Sequence, residues 1–179
     1  FFIAVFATAL LFSVTLLLSG ISAFFDNEVT RTMKELDADA WVVPAGTVGP
    51  FTSASLFPAS DSEKIAAVAG VTRADPILLF HKTVRVPKPK DLNVVGYRPG
   101  GIAQPHVTDG RLPRASHEIV VDKSFVRGIG DTVDLGEQDY SIVGTVKGIT
   151  YLGGTPAAFI SITDAQQLLL DGAPLATAI

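Results

Sequence analysis

The chain has 179 residues, of which 47% are hydrophobic and 18% are charged, a length that accommodates one or two small domains with a buried core. Its formal net charge of −4 argues against a nucleic-acid-binding surface, which needs clustered Lys and Arg side chains. Cysteine is absent, which excludes disulfide bonds and thiolate metal sites.

The first predicted element is a transmembrane helix. Residues 1–25, FFIAVFATALLFSVTLLLSGISAFF, carry no charge, and the first charged residue is Asp26. As a helix this segment would be about 37 Å long, enough to cross a bilayer core of about 30 Å with some tilt. A secretory signal peptide is the alternative, but its basic n-region is missing and the apolar run is long for one. Because the chain begins at Phe1 and stops in a predicted strand, we expect a piece of a longer protein.

The segment after this helix is acidic. Asp26, Glu28, Glu35, Asp37 and Asp39 outnumber Arg31 and Lys34. Cytoplasmic flanks of membrane helices are usually rich in Lys and Arg, so the residues after about 26 are predicted to be extracytoplasmic. Helix formers continue to Ala40 without Gly or Pro, and residues 1–38 are therefore predicted to form a transmembrane helix and a stalk.

Small side chains recur on one face of the predicted membrane helix. They are Ala4, Thr8, Thr15, Ser19 and Ser22. Helices in a bilayer pack on one another through such faces, so this face is predicted to contact another membrane helix. An isolated anchor that merely tolerates Ser and Thr is the alternative.

Residues 39–99 are predicted to form an extracytoplasmic, porter-like α+β subdomain. A strand is expected at AWVVP, residues 40–44. Phe51 and Phe57 in the following loop are candidates for partner or substrate contact, unless the loop packs over its own aromatic rings. A capping box over residues 60–63 predicts a helix that ends at Gly70. Strands in 71–87 and 91–97 are then joined by a turn at residues 87–90.

Residues 100–152 are predicted to form a small, mainly β subdomain inserted into the first. The strand patterns EIVVD, DTVDL and YSIVGTV recur with turn signals between them. The glycine-rich GIGD at 128–131 resembles the start of a phosphate-binding loop, which needs a helix after its glycines. Alternating β-type residues follow instead, so we expect a hairpin without a ligand.

Residues 153–179 are predicted to return to the α+β subdomain. AAFISI reads as a strand. A second capping box at Thr163–Gln166 opens a helix that ends at Asp171-Gly172. LATAI at the end of the chain reads as the start of a further strand.

The sequence carries no recognisable catalytic motif. It has no Gly-Lys-Ser or Gly-Lys-Thr, no HExxH and no G-x-S-x-G, and its three histidines share no metal-ligand spacing. Acidic residues in 131–139 are interpreted as turn residues rather than a calcium site, because EF-hand spacing is absent. The basic turn with Arg85, Lys88 and Lys90 is a solvated hairpin tip or a contact for anionic lipid or a partner. No catalytic, cofactor-binding or metal-binding residue is predicted.

The order of several short motifs resembles the FtsX-like and MacB-like ABC transporter permeases. LDADAWVVPAG follows the first helix as it does in that family, and four motifs then match its extracytoplasmic pattern. They are Gly110, Arg111 and Pro113; Glu118, Ile119 and Val120; Gly130, Asp131 and Val133; and Val143, Gly144 and Val146. The resemblance covers nearly the whole chain.

The resemblance implies a permease subunit in the cell membrane, with three further membrane helices outside this sequence. It implies a second permease copy or a related subunit, and cytoplasmic ATPase subunits that hydrolyse ATP, so the chain itself is not expected to be an enzyme. In such transporters the outer domain couples the ATPase cycle to export or extraction of a substrate. The alternative is an FtsX-like membrane regulator or scaffold whose outer domain engages an extracytoplasmic partner such as a cell-wall hydrolase. An extracytoplasmic enzyme on a signal anchor is a third hypothesis, disfavoured by the lack of catalytic motifs.

Overall fold

The computed structural model describes residues 2–35, 38–47, 55–86, 88–136, 138–151 and 154–179, and within the first helix it describes the side chains of residues 5–21. The helices are α1 (Phe2–Glu35), α2 (Asp61–Ala66) and α3 (Ile162–Leu170). The strands are β1 (Phe57–Pro58), β2 (Leu78–Val86), β3 (Lys88–Tyr97), β4 (Asp109–Gly110), β5 (Glu118–Asp122), β6 (Thr132–Asp134), β7 (Asp139–Val146), β8 (Thr150–Tyr151), β9 (Thr155–Ser161) and β10 (Leu175–Ala176).

Helix α1 is continuous from Phe2 to Glu35, which confirms the predicted helix and its extension beyond residue 25. Every side chain described in it is exposed, including Phe6 and Leu16, which are 73% and 71% accessible. The hydroxyls of Ser13 and Thr15 donate to backbone carbonyls one turn earlier, at 2.8 and 2.9 Å. In the described part of the chain, no helix combines the length and the apolar character needed to cross a membrane.

Among the described residues after α1, most strands belong to one eight-stranded mixed sheet. Its strand order is β2-β3-β9-β5-β7-β4, with β6 paired to β7 and β8 paired to β9. The β3–β9 and β5–β7 pairs are parallel, and β5 joins the two halves by pairing antiparallel with β9. The predicted mixture of helices and strands is therefore confirmed. The division into subdomains 39–99, 100–152 and 153–179 stays a prediction, although strands from all three segments pair within this sheet.

Both faces of the sheet carry buried hydrophobic side chains. On one face α3 packs closely against β3. A Cβ atom at Gly96 in β3 would collide with the side chain of Ala165 in α3, so only glycine leaves room for the helix here. Val84 in β2 and Val133 in β6 belong to the same cluster, so β6 lies against β2 across this face. On the other face a second cluster contains Tyr97 and Phe159, with Trp41 packed against it.

The start of β2 lies beside the end of the chain, at the end of the sheet that we call the base. Ile77 forms a bridge to Ala178, and Val42 and Ile179 exchange two backbone hydrogen bonds of 2.7 and 3.0 Å. The prediction of a strand at 40–44 is wrong. These residues form no strand, and of them only Val42 takes part in the exchange with Ile179. The predicted strand in the last five residues is confirmed as β10, which pairs with β1.

Both predicted capping boxes are wrong in detail. Ser60 already has helical angles and its side chain makes no capping hydrogen bond, and α2 stops at Ala66 rather than Gly70. Helix α3 begins earlier than predicted, because Ser161 caps it instead of Thr163. Ser161 is the last residue of β9, and its extended backbone directs its hydroxyl at the amide of Asp164, 3.0 Å away.

The β2–β3 hairpin is tighter than the sequence predicts. Pairing continues to Val86 opposite Lys88, so that strand β3 includes residues expected in the turn. The residue between them, Pro87, lies outside the described residues. Arg85 and Lys88 are exposed at this far end of the hairpin.

Candidate functional site

The predicted packing face of α1 is exposed where its side chains are described. Thr8, Thr15 and Ser19 are accessible, as are the other side chains of residues 5–21. The side chains of Ala4 and Ser22 lie outside the described residues. The contact with a second membrane helix therefore stays a prediction.

The two aromatic residues predicted to contact a partner are not brought together by what the structure describes. Phe57 is half-buried in β1, where it pairs with Ala176. Phe51 lies outside the described residues. Their role in binding stays a prediction.

The family-like motifs meet where β4, β5 and β7 join. The guanidinium of Arg111 donates to both carboxylate oxygens of Glu118, with an Nη1–Oε2 distance of 2.6 Å. The backbone amides of Arg114 and Ala115 donate to Oε2 of the same carboxylate, at 2.8 and 3.2 Å. The loop between β4 and β5 is therefore closed around one carboxylate.

These contacts explain the acidity of Glu118. The hydrogen bonds from the Arg111 side chain lower the pKa of this carboxyl to about 2 from its usual 4.5, and the amides of Arg114 and Ala115 contribute in the same direction. Partial burial opposes the effect. The arrangement stabilises a charged glutamate, and it is suited to fixing a loop rather than to transferring a proton.

Two motif glycines allow β4 and β7 to approach closely. Gly110 pairs with Gly144, and it has a positive φ of 81°. A Cβ at Gly110 would collide with the carbonyl oxygen of Val143, and one at Gly144 with the carbonyl oxygen of Arg111. Glycine is required here because neighbouring backbone occupies the space of a side chain.

The glycine-rich stretch at 128–131 leads into a strand. Asp131 accepts a hydrogen bond from the Gly128 amide at 3.0 Å, and Gly130 has a positive φ of 93°. The chain then enters β6, which pairs with β7 as far as Asp134 opposite Asp139. The predicted hairpin is confirmed, and no helix N-terminus follows these glycines to bind a phosphate.

Buried carboxylates are features that the sequence did not reveal. Asp122 is 2% accessible and accepts from the amides of Ser124 and Ile149, each at 2.8 Å. Asp164 is 5% accessible and accepts from the amide of His117 at 3.3 Å. An Asp followed two residues later by Ser is a usual turn pattern, and it predicts the contact between Asp122 and Ser124. The pattern does not predict the contact with Ile149, which lies 27 residues away.

A third buried carboxylate, Asp75, lies near the base between two arginines. Its oxygens contact Arg73 Nε at 2.6 Å and Arg98 Nη1 at 3.4 Å. Within the described residues, no group of three or more His, Cys, Asp or Glu side chains is placed to hold a metal ion. The polar clusters of the described domain thus hold loops and strand ends together.

The sequence is similar to those of ABC transporter permeases. The family described as MacB-like periplasmic core domain matches residues 1–177. An uncharacterized ABC transporter permease of Mycobacterium tuberculosis (strain ATCC 25618 / H37Rv), Rv2563, is 33% identical over 178 residues, which is 99% of this chain and 51% of the relative. A second permease of that strain, Rv0072, is 31% identical over the same shares. The chain thus spans about half the length of these curated relatives.

Solved structures share the fold. The periplasmic region of MacB from Actinobacillus actinomycetemcomitans superposes with a TM-score of 0.55 and 13% identity, covering 77% of this chain and 70% of that one. The extracellular domain of the ABC-type transporter YknZ from Gram-positive bacteria superposes with a TM-score of 0.54 and 16% identity, covering 70% and 72%. The resemblance predicted from the motifs is confirmed: the chain belongs to the MacB-like periplasmic core domain family.

Proposed function

We propose that this chain is the first membrane helix and the extracytoplasmic domain of a permease subunit in an ABC transporter of the MacB/FtsX type. The observation that carries the proposal is the combination of a 34-residue helix with exposed apolar side chains and a domain of the MacB-like fold. The names of the curated relatives, which are ABC transporter permeases, support it. ATP hydrolysis is assigned to a separate cytoplasmic ATPase subunit.

In this proposal α1 crosses the cell membrane, and the residues after about 26 lie outside the cytoplasm. Large apolar side chains are exposed along the described part of α1, such as Leu11 at 68% and Leu17 at 64%. Lipid would remove this apolar surface from water, which is favourable. The hydroxyls of Ser13 and Thr15 donate to backbone carbonyls of the same helix. Because these hydroxyls are already hydrogen-bonded, they oppose transfer into lipid less than free hydroxyls would.

The outer domain is proposed to move with the ATPase cycle and so to drive export or extraction of a substrate. Its sheet is continuous and packed on both faces, and its buried carboxylates accept hydrogen bonds from neighbouring segments. A rigid domain of this kind can transmit a displacement without deforming. A second permease copy, or a related subunit, would pack against Ala4, Thr8, Thr15, Ser19 and Ser22 of α1. Phe51 and Phe57 are the proposed contact for substrate or an outer partner.

The test uses the full-length permease, purified together with the ATPase encoded beside it. Residues 1–179 contain no cysteine, so once any cysteine elsewhere in the permease has been replaced, a spin label can be attached at Thr83→Cys, an exposed position in β2. We expect the label-to-label distance between two permease copies to change when ATP binds. A hydrolysis-deficient ATPase should arrest the change in the ATP-bound state.

Two results would contradict this function. One is a full-length protein that retains no ATPase. The other is a distance distribution that ATP leaves unchanged while the outer domain retains a stoichiometric cell-wall hydrolase. The second result would favour a regulator or scaffold instead of a transporter.

A further inference from the structure

Two arginine side chains converge on one buried carboxylate near the base of the sheet. Asp75 has a side chain that is 5% accessible. Its Oδ2 atom accepts from Arg73 Nε at 2.6 Å and from the amide of Ile102 at 3.0 Å, and its Oδ1 atom contacts Arg98 Nη1 at 3.4 Å. The guanidinium of Arg73 also donates to the carbonyl oxygen of Gly100. We call Arg73 and Arg98 the arginine pair.

The arginine pair keeps donors available to solvent. Both side chains are 51% accessible. A guanidinium has five N–H groups, and the hydrogen bonds described above use two from Arg73 and one from Arg98. Two positive charges face one negative charge, so the cluster carries a formal net charge of about +1. Asp75 therefore fixes two guanidinium groups side by side without neutralising both.

The position of the pair follows from the strand pairing. Arg73 precedes β2 and Arg98 follows β3, and Leu78 pairs with Gly96 where these strands begin and end. The neighbouring Ile77 bridges to Ala178, and Ile179 pairs with Val42. Val42 follows the last residue of α1, Glu35, by seven positions. The arginine pair thus lies at the end of the sheet that the chain joins to α1.

We propose that the arginine pair binds the phosphate of an anionic phospholipid headgroup. This inference rests on the proposed insertion of α1 into the membrane, and it requires the helix after residue 25 to lie along the bilayer surface instead of standing away from it as a stalk, so that the base reaches the headgroups. Planar guanidinium groups match phosphate oxygens with paired N–H donors, and desolvate more readily than ammonium groups. The sequence next to α1 is acidic, including the exposed Asp39, so the pair supplies positive charge at an end of the domain that anionic lipid would otherwise avoid.

The experiment uses the whole chain in nanodiscs of phosphatidylcholine, alone or mixed with phosphatidylglycerol. Native mass spectrometry measures which lipid the released protein retains, and hydrogen exchange measures the protection of amides in residues 98–104. We expect preferential retention of phosphatidylglycerol and slower exchange in the mixed discs. Arg98→Gln should lower that preference about fivefold, as expected for one basic residue at an anionic surface.

Matched variants separate binding from folding. Lys147→Gln removes the same charge from an exposed residue directly after β7, outside the arginine pair, and should leave lipid preference unchanged. Arg98→Lys keeps the charge but loses the planar fork, and should give an intermediate preference. Fluorescence of Trp41 verifies that each variant remains folded.

Three results would overturn the inference. Insertion without any preference for phosphatidylglycerol overturns it and leaves the proposed function standing. Protection of residues 98–104 by inorganic phosphate in neutral discs, equal to that given by phosphatidylglycerol, would indicate a soluble anion instead of a lipid. Failure of the chain to insert at all would overturn the proposed membrane anchor and this inference together.

Discussion

Glu118 illustrates how single residues of the family-like motifs act. Its carboxylate accepts hydrogen bonds from one side chain and two backbone amides, all of which belong to the loop that links β4 to β5. Gly110 and Gly144 act nearby by leaving space for the carbonyl oxygens of the opposite strand. At this scale, the contacts of Glu118 and the two glycines hold the loop between β4 and β5 against β7.

We predict that Glu118→Gln lowers the free energy of unfolding by about 1–2 kcal/mol, because a charged, bidentate acceptor is replaced by a neutral one. The expected loss is small because Arg111 is 41% exposed and water screens the ion pair. Urea unfolding of the chain in a mild detergent, followed by fluorescence of Trp41, the single tryptophan, measures the change. Glu63→Gln, in the exposed first turn of α2, is the control. Equal stability of both variants would show that the Glu118 contacts contribute nothing.

The same carboxylate predicts a dependence on pH. Its pKa is about 2 in the folded chain and near its usual 4.5 when unfolded. The stabilisation is therefore fully present above about pH 4.5 and is lost as the pH falls towards about 2. In urea titrations between these limits, the unfolding free energy of Glu118→Gln should fall less steeply with acid than that of the unaltered chain. Parallel curves would contradict the assigned cause.

At the scale of elements, α3 shows how a helix is positioned by the strand before it. Ser161 ends β9 in an extended conformation and caps the helix that begins at the next residue. Ala165, one turn later, packs on Gly96 of β3. The junction of β9 and α3 thus fixes both the start of the helix and the face it presents to the sheet.

We predict that Ser161→Ala destabilises the chain by about 1 kcal/mol, because the amide of Asp164 loses its capping acceptor. Thr163→Ala is a matched control, since Thr163 is exposed inside the helix and is the cap that the sequence pattern alone suggests. Thermal unfolding monitored by circular dichroism compares the two variants. A larger loss for Thr163→Ala would mean that the helix starts where the sequence pattern places it.

At the scale of the whole molecule, an apolar helix and a packed sheet domain occupy separate parts of the chain. Between them, the described residues 38–47 bring Val42 to the base of the sheet. The proposed function requires these parts to meet different environments, with α1 in lipid and the domain in water. That requirement can be tested without knowing the transported substrate.

We predict that the double substitution Leu11→Arg and Leu17→Arg in α1 releases the chain from the membrane, because each arginine at the centre of a membrane helix costs roughly 3 kcal/mol. The control pair, Val126→Arg and Ile129→Arg, alters residues of the outer domain that are also exposed, at 58% and 50%. Carbonate extraction of membranes measures the fraction retained. An α1 variant that stays in the pellet as firmly as the control would contradict the membrane assignment.

The long apolar helix, most strands of the sheet and the family of the chain could all be predicted from the sequence. These features depend on local signals: an uncharged run, alternation of apolar residues, and glycines or prolines at turns. Helix caps were misplaced because more than one Ser or Thr satisfies the local pattern, and only the extended backbone at the end of β9 selects Ser161. Contacts between groups that are distant in the sequence could be seen only in the folded chain. The fold paired Asp122 with the amide of Ile149, and it placed the arginine pair around Asp75 at the base, because strand order and register set these contacts.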